Sequence, residues 1–165
     1  ARETDELTRA LREGGLHRNF QGYTTKAGSE LCGFGMSSIS MNDIAYRQNR
    51  KELSDWHAAI DQNRLPAHKG YRLTPEDQLR RDLIMTIMCS GTVSYDDFNQ
   101  RYAIDFKEHF AEALDQLEEP ARDGLVSFST DGFQVTEKGR LLLRNIAMPF
   151  DAYLQAGPRR HAKTI

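Results

Sequence analysis

Apolar residues in the second half of the chain recur at helical spacing. Leu79, Leu83, Ile84, Ile87 and Met88 form one wide face behind Thr74-Pro75-Glu76-Asp77, which supplies an N-cap, a proline at the first helical position and acids at the positive end of the dipole. Ser90-Gly91 stops that helix. Ser94-Tyr-Asp-Asp97 opens a short second helix with Phe98 and Tyr102 turned inward. Asp105-Phe-Lys-Glu108 opens a third, expected over 105–119, with Phe106, Phe110, Ala113, Leu114 and Leu117 on one face. Asp123-Gly124 ends it. Leu125–Ser129 and Phe133–Val135 flank Thr130-Asp131-Gly132 as a β-hairpin. Thr136–Arg140 then caps a last helix carrying Leu141, Leu142, Leu143 and Ile146. Three helices, a hairpin and a helix make a winged-helix order.

The first half is less regular. Residues 4–13 predict a short helix ended by Gly14-Gly15. Residues 16–25, Leu-His-Arg-Asn-Phe-Gln-Gly-Tyr-Thr-Thr, are too polar for a buried strand and too aromatic for an ordinary loop, and read as extended and loop-like. Residues 31–40 predict a strand or strand-to-loop segment, with Gly33 and Gly35 marking close backbone approach. Leu53, Trp56 and Ile60 predict an amphipathic helix over 49–62, and residues 63–73 a connector.

Composition leaves few classes open. With 165 residues, 39% hydrophobic and 28% charged, the chain suits one core with an appendage. No apolar run approaches the roughly 18 residues of a membrane span. The charged start lacks a signal peptide and a Met, so the chain reads as a processed or excised piece, with the cytoplasm as its compartment. Cys32 and Cys89 stand far apart and form neither a disulfide framework nor a metal motif, and the five histidines are scattered.

Charge decides against nucleic acid. Residues 74–150 carry 8 Lys/Arg and 14 Asp/Glu, a net charge of −6. The expected third helix sets Asp105, Glu108, Glu112, Asp115, Glu118 and Glu119 against Lys107 alone. Such a surface repels phosphates, so the region reads as a packing or lid module. Arg80, Arg81, Arg140 and Arg144 are the only counter-indication, and local acid partners on a solvated face account for them equally well.

Gly33-Phe-Gly35 lacks the third glycine and the following helix of a dinucleotide fingerprint. Two readings remain for it: a strand end at which Ile39 offers main-chain groups to a ligand, or a tightly packed strand corner.

Taken together, residues 16–25, Gly33–Met41, Arg80-Arg-Asp-Leu-Ile84 and Val135–Ile146 resemble the C-terminal part of oxygen-independent coproporphyrinogen III oxidases, a radical S-adenosylmethionine family. A heme-chaperone branch of that superfamily typically carries Asn-x-x-Tyr-Trp in the first block, and this chain follows the oxidase pattern. The resemblance implies a mostly α (α+β) fold: residues 1–48 as the end of a partial (β/α) barrel, 49–73 as helix and connector, 74–156 as a winged-helix-like domain and 157–165 as a flexible basic tail. It implies conversion of two propionates of coproporphyrinogen III to vinyl groups by a 5′-deoxyadenosyl radical, using S-adenosylmethionine, a 4Fe-4S cluster and an external electron donor. Phe20, Gln21 and Ile39 match positions at the S-adenosylmethionine and substrate site. The family's Cys-x-x-x-Cys-x-x-Cys motif is absent from this sequence. The resemblance therefore implies a chain inactive by itself, which completes a porphyrinogen site with the remainder of its parent protein. The other readings are a winged-helix module binding nucleic acid or protein, and a heme-carrying relative.

Overall fold

The computed structural model describes residues 2–155. The basic tail expected over 157–165 lies outside them. Helix α1 (Glu6–Glu13) starts where Asp5 accepts from the backbone N–H groups of Leu7 and Thr8, and stops at Gly14, whose φ of 82° suits glycine. The stretch expected to be loop-like is instead a small hairpin, β1 (His17–Asn19) and β2 (Gly22–Thr24), paired Asn19↔Gly22. Asn19 Oδ1 accepts from the Gln21 N–H at 2.8 Å, so an Asx turn closes the tip.

Strands β3 (Ile39–Met41) and β4 (Ala45–Asn49) pair antiparallel. After α2 (Leu53–Asp61), strand β5 (Ala67–Arg72) joins β4's other side, giving the order β3-β4-β5. Residues 63–73 are thus not a mere connector. Five of β5's six residues are exposed, so it is held by its backbone ladder and has no apolar alternation to betray it. The expected stripe on α2 is also weak: Leu53 and Ile60 are exposed, and Ala59 is the buried residue.

Helix α3 (Pro75–Cys89) has the expected cap. Thr74 Oγ1 accepts from the Asp77 N–H at 3.1 Å, and Asp77 Oδ2 accepts from the Thr74 N–H at 2.8 Å. Strand β6 (Thr92–Ser94) and helix α4 (Tyr95–Tyr102) follow, with Ser94 capping α4. The single helix expected over 105–119 is three short ones, α5 (Phe106–His109), α6 (Ala111–Gln116) and α7 (Glu118–Arg122). Pro120 has no N–H to continue a helix through Leu117, but fits the first turn of a new one. Strands β7 (Val126–Phe128) and β8 (Gly132–Val135) form the expected hairpin, and β6 adds to it in the order β6-β8-β7. A 3-10 turn (Gly139–Leu142), α8 (Leu143–Ala147), a second 3-10 turn (Met148–Phe150) and α9 (Ala152–Gln155) complete the described chain. The fold is mixed helix and sheet.

The main core lies within Leu79–Phe150. An aromatic series runs through it: Tyr95 on Phe106 at 4.8 Å, Phe106 on Phe110 at 4.9 Å, Phe110 on Phe150 at 5.6 Å and Phe150 on Phe133 at 6.0 Å. One face of α3 supplies Leu79, Leu83 and Ile87 to this core, while its other face meets β1 and the turn before β4. No described helix is long and apolar enough to cross a membrane.

Candidate functional site

Phe20 and Gln21 occupy the exposed tip of the β1–β2 hairpin. The Phe20 ring meets Tyr46 of β4 edge-on at 5.4 Å, so the tip rests on the β3-β4-β5 sheet. Pairing of Ile39 with Gln48 and of Met41 with Tyr46 puts those four side chains on one face. Phe20 packs over that face. The structure places Phe20 and Gln21 on the tip above this sheet and Ile39 at the start of β3, on the same face as Met41 and Tyr46.

Ile39 lies at the start of an edge strand. Met41 and Leu31 exchange both backbone hydrogen bonds, at 2.8 and 2.9 Å, on the side away from β4. Alternation along the ladder turns the N–H and C=O of Ile39 to that same outer edge. Gly33 closes over them: a Cβ at Gly33 would stand 2.6 Å from the Ile39 carbonyl oxygen. The corner is tightly packed, as one of the two readings of the glycine segment expects, and the Ile39 main chain turns to the same edge.

Asn49, which no sequence signal singled out, organises the segment. It is 5% exposed, and its Nδ2 donates to Gly35 O at 2.9 Å and Ser38 Oγ at 3.1 Å. The Ser38 hydroxyl donates to Gly35 O, and the Gly33 N–H to Ser40 Oγ. A buried amide is stable only when so satisfied. A polar residue at the end of an unpredicted strand carried no periodic signal.

Helix α3 buttresses the corner. Tyr23 Oη donates to Met88 O at 3.3 Å, and Arg81 Nη1 to Asp43 O at 3.1 Å. Burial opposes the charge on Arg81, but Asp82 and Tyr46 beside it outweigh burial and raise its pKa. The local acid partners expected for the arginines are present for Arg80, 2.6 Å from Glu76, and for Arg81, 3.3 Å from Asp82. Arg140 instead donates to the Ser90 carbonyl at 3.2 Å.

Through Phe20, Gln21 and Ile39 the corner presents no titratable side chain. It offers an aromatic edge, an amide side chain and an outward backbone pair, which suit a flat heteroaromatic ligand. Cys32 is exposed and Cys89 buried, and no group of three or more His, Cys, Asp or Glu is gathered among the described residues. Two separated cysteines do not fit an iron–sulfur cluster, whereas the corner's donors and acceptors fit an adenosyl group.

Residues 73–142 match the HemN C-terminal domain. The oxygen-independent coproporphyrinogen III oxidase of Salmonella typhimurium is 47% identical over 159 residues, covering 96% of this chain and 35% of that protein. That of Helicobacter pylori strain 26695 is 40% identical over 165 residues, covering 100% and 36%. The structure of coproporphyrinogen III oxidase (HemN) from Escherichia coli, described as a radical SAM enzyme, superposes with a TM-score of 0.89 at 46% identity, over 93% of this chain and 35% of that one. The chain spans about a third of the length of these relatives. Residues 73–142 thus match the HemN C-terminal domain, and nearly the whole chain is similar to part of the oxygen-independent coproporphyrinogen III oxidases.

Proposed function

We propose that this chain is the C-terminal part of a radical S-adenosylmethionine enzyme that oxidatively decarboxylates two propionates of coproporphyrinogen III to vinyl groups, giving protoporphyrinogen IX for heme synthesis in the cytoplasm. The observation that carries the reading is 47% identity to the Salmonella typhimurium protein along 96% of this chain. The outward Ile39 backbone beside the Phe20–Gln21 tip supports it.

In that enzyme, S-adenosylmethionine would supply a 5′-deoxyadenosyl radical to the propionate side chain, with an electron delivered from an external donor through a 4Fe-4S cluster. This chain's residues would bind and orient. Ile39 N–H and C=O would pair with the adenine edge, Phe20 would press on the ligand, and the Gln21 amide would fix its rotation. Such positioning matters because a small displacement at a reacting C–H bond is costly. The cluster's ligands would come from the remainder of the parent protein.

The same reading divides the chain into the end of a partial barrel (1–48), a helix and connector (49–73) and a winged-helix-like domain (74–156). The acidic surface of α5–α7 favours a closing role for that last part over a nucleic-acid one. The test compares this chain with the longer protein carrying the three-cysteine motif, after anaerobic iron–sulfur reconstitution. The longer protein is expected to form both 5′-deoxyadenosine and protoporphyrinogen IX, and this chain neither. Absence of porphyrin product from the longer protein would overturn the function. Formation of 5′-deoxyadenosine by this chain alone would overturn the division of labour.

A further inference from the structure

A cleft of about 400 Å³ runs between the β1–β2 hairpin, the Asn42–Asp43 turn and α3. Its charge runs against the acidity of residues 74–150. Arg18, Lys26, Arg81 and Arg101 line it, opposed by Asp43 and Asp82. Four cations against two carboxylates leave two positive charges.

These cations are not equivalent. Asp82 takes up two of them, accepting from Arg81 Nε at 3.3 Å and from Arg101 Nη2 at 2.7 Å. Tyr102 Oη also donates to Asp82, at 2.6 Å. Arg18 and Lys26 have no carboxylate partner among the described residues. Arg18 is half-buried, rests 5.9 Å from the Tyr23 ring centre and faces the buried Cys89. A half-buried guanidinium without a carboxylate is an incomplete pair. The walls between the charges include Met41, Met85 and Leu16, so an organic acid fits better than a bare inorganic anion.

The cleft adjoins the corner described above. Asn19 lines it and also accepts the Gln21 N–H. A group held in the cleft therefore lies next to the hairpin tip.

We propose that this cleft is a carboxylate-binding site, with Arg18 and Lys26 as its anchoring cations and Asp82 holding Arg81 and Arg101 in place. It rests on the functional reading above, which offers two carboxylate sources: a propionate of the porphyrinogen and the methionyl carboxylate of S-adenosylmethionine.

The test uses the full-length protein and three probes: coproporphyrin III, its tetra-amide and S-adenosylmethionine. Wild type is expected to bind coproporphyrin III more tightly than the tetra-amide, with affinity falling as salt rises. The Arg18→Gln/Lys26→Gln double variant should lose about tenfold or more for the acid and nothing for the amide, while Arg18→Lys retains most binding. Loss confined to coproporphyrin III assigns a propionate. Loss confined to S-adenosylmethionine supports the site and assigns the methionyl carboxylate. Unchanged affinity for both acids in a double variant that unfolds at the wild-type temperature would overturn the proposal. Equal wild-type affinity for acid and amide, with no variant effect on S-adenosylmethionine, would do the same. A wild-type protein that binds neither ligand would instead overturn the functional reading itself.

Discussion

The Nδ2 of Asn49 donates to the carbonyl oxygen of Gly35 over 2.9 Å, joining the end of β4 to the glycine segment fourteen residues earlier. Asn49→Ala removes the amide's bonds to Gly35 O and Ser38 Oγ and leaves Gly35 O to the Ser38 hydroxyl alone, and is expected to cost about 0.5–1.5 kcal/mol. Asn49→Asp should be worse, because a buried carboxylate would face carbonyl oxygens. Urea unfolding measures both. Backbone hydrogen exchange at Gly33–Ser38 should rise in each variant, and unchanged protection there would refute the assigned role.

Gly33 has no room for a side chain. Gly33→Ala puts a methyl carbon 2.6 Å from Ile39 O, so the β3 edge must shift. Overpacking of this kind costs about 1–3 kcal/mol. Under the proposed function the variant should also bind S-adenosylmethionine more weakly in the full-length protein. Equilibrium dialysis checks this, and wild-type affinity would detach Ile39 from the ligand.

Asp77 gives the fold an acid-sensitive element. Burial alone would raise its pKa, but hydrogen bonds from Tyr153, from the N–H and hydroxyl of Thr74 and from Tyr71 outweigh burial and hold it at about 2, below the ordinary 3.8. A depressed carboxylate stabilises the fold fully above its unfolded value. That contribution is therefore present above about pH 4 and disappears as pH falls towards 2. Asp77→Asn should flatten the fall in stability across that window, and Tyr153→Phe should shift it to higher pH. Thermal melts in steps from pH 5 to pH 2 read the effect; identical profiles for wild type and Asp77→Asn would contradict it.

Two apolar residues of the C-terminal region should behave oppositely. Phe106 is fully buried between Tyr95, Phe98 and Phe110, so Phe106→Ala should cost about 3–5 kcal/mol. Leu141 is 87% exposed, and Leu141→Ala should change stability by less than about 0.5 kcal/mol. Denaturant titration of both variants separates the core from its surface.

What the sequence made legible follows from where stability comes from. Thr74, Ser94 and Asp105 each cap a helix, because a cap is a local interaction written in adjacent residues. The hairpin at 126–135 was readable from its turn. Strands β4 and β5 were not, since they are held by cross-strand backbone bonds between polar residues. The break at Leu117 was missed because apolar spacing continues through it while Pro120 does not. Phe20, Gln21 and Ile39 came from resemblance to a family, and the seating of the hairpin tip from the packing of Phe20 on Tyr46. Asn49 depends on partners in the glycine segment, and Arg18 on a cleft assembled from separate segments, which no local pattern encodes.

Helix α3 has consequences for recombination. Its Leu79, Leu83, Ile87 and Met88 side chains belong to one core, while the Arg81 side chain and the Met88 carbonyl are hydrogen-bonded to Asp43 and Tyr23 of the preceding region. A chimera spliced at Thr74 would import a helix whose outer face was fitted to another protein's hairpin. Grafts that carry the host's residues on that face should assemble where a clean swap fails, so the natural seam between the two regions runs lengthwise along a helix rather than across a loop.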